Sequence, residues 1–294
     1  MRFRVTHRTR YGYADAVLLS HNVARLRPRE SGTQGLRRHE LTVSPAPSTK
    51  SSGLDYFGNH VTWFSLQEPH TELTITAQSE VDVNLALRPD VSQGPSWEQV
   101  RQALLEPSTP QVLLARQFCF DSPHVQRAPE FADYALPSFP PGRPFLECVL
   151  GLTDRIHHDF KFLPGSTRVG TPGLDVLRAR RGVCQDFAHV QISCLRSFGL
   201  AARYVSGYIA TIPSPGQPRL AGADVSHAWV SAFSPDFGWM DFDPTNGIMP
   251  SDGHVTVAWA RDYDDIGPVR GILTGGRRQK MDVSVDVVPV EMSD

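Results

Sequence analysis

Hydrophobic and polar positions alternate along most of residues 1–85, the two-residue period of strands with one buried face. The runs are FRVTHRTRYGY, ELTVSP, HVTWFSL and ELTITAQSEVDV, and the FGN turn at 57–59 separates two of them. Across 86–95, ALRPDVSQGP, this periodicity gives way to Pro, Gly and polar residues. That shift marks a junction between a β-rich N-terminal domain over 1–90 and a second domain over 91–294. Beyond it the spacing lengthens to that of helices. Ser96 with Gln99 three residues on forms a capping-box signature, and Thr109 before Pro110 opens a second helix. Residues 121–144 are rich in Pro and aromatics and predict at most a short helical turn near Phe131. In PFLECVLGLTDRIHHDF, positions Phe145, Leu146, Val149, Leu150, Leu152 and Ile156 keep helical spacing. FKFLPGST reads as a loop or short strand, and TPGLDVLRARRG as a helix that delivers the chain to Gly182.

A largely buried helix is predicted next, RGVCQDFAHVQISCLRSFG at 181–199. Phe187, Ala188, Val190, Cys194, Leu195 and Phe198 make a wide stripe, and Gly199 is a stop signal. After it AARYVSGYIA is a strand whose central glycine suggests a bulge or a close backbone approach. PSPGQPRLAGADV is a loop long enough to act as a lid. SHAWVSAF and GWMDFDPTNG are neighbouring antiparallel strands joined by SPDFG. HVTVAWARDY and KMDVSVDVVPV add two more. In the last, Val283, Val285 and Val287 alternate with Ser284 and Asp286, giving one buried and one wet face. It has no obvious partner beside it in sequence, so it is expected to return to the N-terminal β domain.

Composition narrows the function without choosing it. The 294 residues are 40% hydrophobic with a formal net charge of −2, so there is no electrostatic case for nucleic acid. The basic, aromatic start MRFRVTHRTRYGY lacks the apolar stretch of a signal peptide, and no run approaches a membrane span. Cys119, Cys148, Cys184 and Cys194 are too few and scattered for a disulfide framework, and no CxxC pair occurs. His157 and His158 are adjacent and so point apart rather than at one ion. A reduced, cytoplasmic enzyme with no metal and no cofactor is the expectation, acting on a peptide or protein substrate; the oligomeric state is not readable.

Cys184 stands where the helix begins, where the macrodipole and free N–H groups favour a thiolate. Asp186 in the same turn favours the helix but works against that thiolate, so a second activating group is required. His227 near the start of one strand and Asp243 at the end of the next supply a base and an orienter, which completes a nucleophile–base–orienter set. By strand alternation Asp241 shares a face with Asp243, and the residues alone do not choose between them. Cys194 reads as core and His189 as structural, since five helical steps point it away from the sulfur.

The pattern GVCQDFAH, ARYVSGY, SHAW and FDPTNG, in that order, resembles the bacterial transglutaminase-like family, a branch of the papain-like cysteine enzymes. RDYDDIGPVRG at 261–271 adds to the resemblance, although Ala260 stands where the family usually has Gly. Tyr11, Tyr13, Leu26, Pro28, Asp55, Phe57, Gly58 and Asn59 resemble the family's N-terminal β domain and read as turn and packing residues. The resemblance implies an α+β fold: a papain-like core with Cys on a central helix packed on an antiparallel sheet, preceded by a β-rich domain. It implies Cys184 as nucleophile, His227 as base and Asp243 as orienter. Gln185, Trp229 and Tyr208 are the candidate substrate contacts, with Trp229 either walling the site or merely packing. The Cys184 N–H is one oxyanion donor. Papain-like proteases carry Gln six residues before the Cys; here that residue is Arg178. Three functions remain open: a cysteine peptidase or amidase, a protein-glutamine acyltransferase, and a non-catalytic binding module. The complete residue set argues against the third.

Overall fold

The computed structural model describes residues 1–84, 88–210 and 226–290. The first part of the chain forms β1 (Arg2–Ala24), β2 (Gln34–Ser44), β3 (Thr49–Leu54), β4 (His60–Leu66) and β5 (His70–Val83). Helices α1 (Trp97–Leu105), α2 (Pro110–Arg116), α3 (Pro129–Ala135) and α4 (Phe145–Asp159) follow. Next come β6 (Lys161–Phe162), α5 (Gly173–Ala179), β7 (Arg181–Gly182) and α6 (Cys184–Ser197). The chain closes with β8 (Ala202–Ile209), β9 (Ser226–Ser234), β10 (Gly238–Phe242), β11 (His254–Ala260), α7 (Tyr263–Ile266), β12 (Val269–Gly275) and β13 (Lys280–Pro289). The lid expected over 211–225 lies outside the described residues.

The helix signals act as the sequence predicts. The Ser96 hydroxyl accepts from Gln99 N while Gln99 Oε1 accepts from Ser96 N, a reciprocal cap on α1. Thr109 caps α2 with Pro110 at its first position. Near Phe131, α3 runs to seven residues, longer than the turn expected there.

The strands form two main sheets. The larger has seven strands built around β1, in the order β2-β5-β1-β4-β3, with β12 and β13 also paired to β1. Phe3–Gly12 of β1 lies between β5 and β13, and Ser20–Ala24 between β4 and β12. The smaller is antiparallel with order β10-β9-β8-β11, and α6 packs against its strands β8 and β9. Gly207 sits mid-β8 where a Cβ would run into Val255 O and the Trp229 ring, the close approach its position suggested.

Strands β3 and β12 carry no sequence signal, because each lies at an edge with its side chains almost wholly exposed. Backbone pairing holds them in place, with a few side-chain contacts such as Ser52 with Thr62 and Arg270 with Asp264. The alternation of β13 is also only partly realised. Val285 and Val287 are buried, whereas Val283 is 43% exposed, beyond the reach of the core.

The larger sheet docks on the edge of β11 through two carboxamides. Gln34 Nε2 donates to Thr256 O at 2.7 Å while its Oε1 accepts from Thr256 N at 2.8 Å. Asn59 does the same to Trp259, at 3.0 and 2.9 Å. Each side chain makes the bond pair a neighbouring strand would make, so the open edge is satisfied without one. Asn59 is held for this by Asp55, which also accepts the N–H groups of Phe57 and Asn59 around Gly58, whose φ is 73°.

Deleting residues 281–294 should therefore cost far more than a frayed tail. It uncovers the pocket that Val285 and Val287 fill, at about 1.5–3 kcal/mol for each side chain. It also leaves one edge of β1 unpaired. Insoluble protein, or a melting temperature many degrees lower, is the expected result; a truncated chain melting at the wild-type temperature would refute it.

Candidate active site

Helix α6 starts at Cys184 because the chain makes a tight entry there. Gly182 allows Asp186 to fold back, since a Cβ at 182 would lie 2.7 Å from the Asp186 carboxylate. Asp186 Oδ2 then accepts from Val183 N at 2.8 Å and from the Thr167 hydroxyl at 2.7 Å. The carboxylate thus fastens the first turn and holds the loop before α5, with its charge spent on donors. Cys184 is half-buried at this helix start, while Cys119, Cys148 and Cys194 are buried.

His227 enters from β9. Its Nε2 donates to Asp243 Oδ2 at 2.8 Å, and Cys184 lies near enough to raise the pKa of its ring. With Nε2 occupied, Nδ1 is the nitrogen left for sulfur. Burial pulls the imidazolium pKa down, but Asp243 and a Cys184 thiolate more than offset this and carry it up to about 10.

Register settles the two aspartates. Asp241 lies opposite Ser231 and Phe242 opposite Val230, so the acidic side chains reach β9 one step along the diagonal. Asp241 accepts from Trp229 Nε1 at 3.0 Å, and Asp243 accepts from His227. Asp243 is fully buried and receives a dense set of donors: His254 Nε2 at 3.1 Å, Asn246 Nδ2 at 2.7 Å, and the N–H groups of Thr245 and Asn246. Burial alone would raise its pKa, yet His227, His254 and Asn246 reverse that and hold it below the ordinary carboxylate range.

His254 and Asn246 are parts of this cluster that the sequence reading missed. Each had a signal. His254 opens a strand as His227 does, and Asn246 sits three residues past Asp243 in FDPTNG. His227, Asp243 and His254 are also the one group among the described residues that could hold a metal ion. The hydrogen bonds favour a different reading: both Nε2 atoms point at a carboxylate oxygen as donors, and His254 Nδ1 faces the Ser251 N–H. Coordination through Nε2 would put the proton of His254 on Nδ1, against that N–H.

The three candidate substrate contacts fare differently. Gln185 is half-buried beside Cys184, and its side chain makes no hydrogen bond among the described residues. Trp229 is completely buried, with its ring 5.3 Å from His254 and its N–H on Asp241, so it packs behind the cluster rather than walling an open cleft. Tyr208 is buried, and its hydroxyl meets His7 Nδ1 of β1 at 3.1 Å. It therefore faces the large sheet, a correction that follows from the return of β1 against this end of β8. Arg178, at the position of the papain-like glutamine, is two-thirds exposed beside Glu130 and Asp175 and offers no oxyanion donor. His189 is structural: it stacks on His124 at 5.3 Å, and burial pushes its pKa down to about 3.

Comparison with known proteins bears on the family and the fold. Residues 3–82 match the bacterial transglutaminase-like N-terminal region, and residues 142–244 match the transglutaminase-like superfamily core. A protein of Mycobacterium tuberculosis H37Rv is 44% identical over 298 residues, covering 99% of this chain and 93% of that one. The chain belongs to the transglutaminase-like superfamily. A solved structure from Cytophaga hutchinsonii, provisionally named a cysteine protease, superposes with a TM-score of 0.74 at 21% identity, covering 100% of this chain and 92% of that one. That likeness shows the shared fold. A protein-glutamine gamma-glutamyltransferase of Pseudomonas aeruginosa is 32% identical over 106 residues, 35% of this chain and 16% of that protein. Among the described residues no helix is long and apolar enough to cross a membrane.

Proposed function

We propose that this transglutaminase-like protein is a cysteine hydrolase, a peptidase or amidase, with Cys184 as nucleophile, His227 as base and Asp243 as orienter. The observation that carries the reading is the division of labour on one ring. Asp243 holds the His227 Nε2–H, and the opposite nitrogen is left to the Cys184 thiol. In this reading the thiolate attacks an amide carbonyl, and the oxyanion that forms is met by the Cys184 N–H at the start of α6. The imidazolium gives its proton to the leaving amine as the C–N bond breaks, which leaves a thioester. Water then adds to the thioester carbonyl while His227 takes its proton. Collapse releases a carboxylic acid, and the proton returns to sulfur or remains on the ring. All four cysteines are free, which suits a reducing compartment, the cytoplasm in this reading.

The competing reading is transfer of the acyl group to an amine, and the stretch similar to the Pseudomonas glutamyltransferase favours it. Transfer needs apolar walls that exclude water from the thioester. The two tryptophans nearest in sequence to the cluster are engaged elsewhere: Trp229 is sealed, and Trp239 stacks on Arg203. Hydrolysis is therefore the expected outcome. With a glutamine-containing peptide and a large excess of primary amine, mass spectrometry should show free carboxylate as the main product. Amine incorporation that outpaces carboxylate formation at modest amine concentration would make the protein a transferase.

A further inference from the structure

Among the described residues two arginines of this part of the chain are buried, and they are treated in opposite ways. Arg196 of α6 is fully buried, and its guanidinium is surrounded by acceptors: the carbonyls of Phe120, Ala202 and Arg261 and the Ser122 hydroxyl. Arg203 of β8 is 8% exposed, and its side chain makes no hydrogen bond among the described residues. Its Nε is sealed without a partner. One face of its guanidinium lies 3.8 Å from the Trp259 ring centroid, and it also lies 4.2 Å from that of Trp239. Indole stacking offsets part of the desolvation cost, but it satisfies no N–H. A buried cation left in this state is costly unless something else meets it.

Arg203 borders a cavity of about 330 Å³ between the small sheet and the N-terminal strands, lined also by Asp241, His254, Arg88 and Gln34. Cys184 is not among its lining residues, so the cavity is separate from the sulfur, although His254 and Trp229 belong to both surroundings. The volume lies at the small end of ligand sites and suits one side chain or a small acid. With Nε closed and indoles against the guanidinium plane, the terminal Nη edge is what remains for a ligand. An in-plane pair of N–H donors matches a planar carboxylate. Asp241 places a negative charge in the same cavity and raises the Arg203 pKa, against burial and Arg29, which lower it; the net is a fall to about 9. The same charge opposes a dianion such as phosphate, so a singly charged group fits best.

We propose that this cavity is a binding site for a carboxylate, held end-on by Arg203. The acid comes either from a free small molecule or from the carboxyl end of a peptide. The inference does not depend on the hydrolase reading, because its test measures binding without turnover. Glutarate and acetyl-dialanine are titrated calorimetrically into the wild-type protein, each against its amide, with inorganic phosphate as a further probe. One acid should bind saturably while its amide stays silent, and the acid that binds identifies the source. Arg203→Met should weaken that acid at least tenfold without lowering the melting temperature, since replacing an unpartnered buried ion by an apolar side chain is neutral or stabilising. Arg203→Lys, which keeps the charge but loses the two-donor edge, should also weaken it at least tenfold. No saturable binding of either acid, stronger binding of phosphate, or acid binding unchanged in both variants would overturn the proposal. So would a steep loss of stability in Arg203→Met, which would mark Arg203 as a structural cation balanced by Asp241.

Discussion

Cys184→Ala should abolish turnover, by a factor on the order of 10⁶ for loss of a nucleophile that works as a unit with its base. The same residue should dominate alkylation. Cys119 and Cys148 are buried, and burial pushes their thiols up to about 11 and about 12; Cys194 is pushed higher still. Reaction with iodoacetamide requires thiolate and access, and among these four only Cys184 is not buried. Peptide mapping after brief labelling should find nearly all adduct at Cys184. Uniform labelling, or a Cys184→Ala protein that keeps full activity on an identified substrate, would remove the basis for the cysteine mechanism.

Asp243→Asn should cost about 10⁴ in turnover, the scale seen when a triad carboxylate that fixes the histidine tautomer is neutralised. Asp241→Asn should cost about tenfold or less, because the bond at stake is one neutral N–H from Trp229, worth about 1 kcal/mol. The pH dependence of stability gives a second readout. His227 has a folded-state pKa raised from 6.5 to about 10. Its contribution is therefore present in full below about pH 6.5 and is lost as the pH climbs towards 10. In Asp243→Asn the raising charge is gone and burial prevails, so this alkaline loss of stability should shrink. Chemical denaturation of both proteins at pH 6 and pH 10 measures it. If Asp241→Asn is the crippled variant, His227 is oriented by the wrong aspartate in this account.

Local chemistry explains which parts were legible beforehand. The caps at Ser96 and Thr109, the long amphipathic helix at Phe145–Asp159 and the Cys184 helix are set by residues a few positions apart, so sequence shows them directly. The trio Cys184, His227 and Asp243 was legible for a different reason: each stands at the end of an element with its own turn signal, in the order a known family uses. His254 was missed because its role depends on β11 lying beside β8, a pairing that nothing within the HVTVAW run announces. Tyr208 was misplaced for a similar reason. Alternation tells which residues share a face, and only the docking of β1 tells what that face meets.

By itself the sequence determined the periodicity of most elements, the position of a cysteine at a helix start, and the family pattern that ties it to a histidine and an aspartate. These rest on short-range sterics and on hydrogen bonds between near neighbours. Tertiary structure pairs His227 with Asp243, the aspartate the family resemblance implies, and Trp229 with Asp241, because a one-step diagonal across β9 and β10 is set by register. It decided that Trp229 packs rather than walls a cleft, that two carboxamides close the edge of β11, and that Arg196 is satisfied while Arg203 is not. Each of these depends on which groups meet after distant segments are packed together, since burial and partner choice are properties of the assembled interior rather than of any stretch of chain.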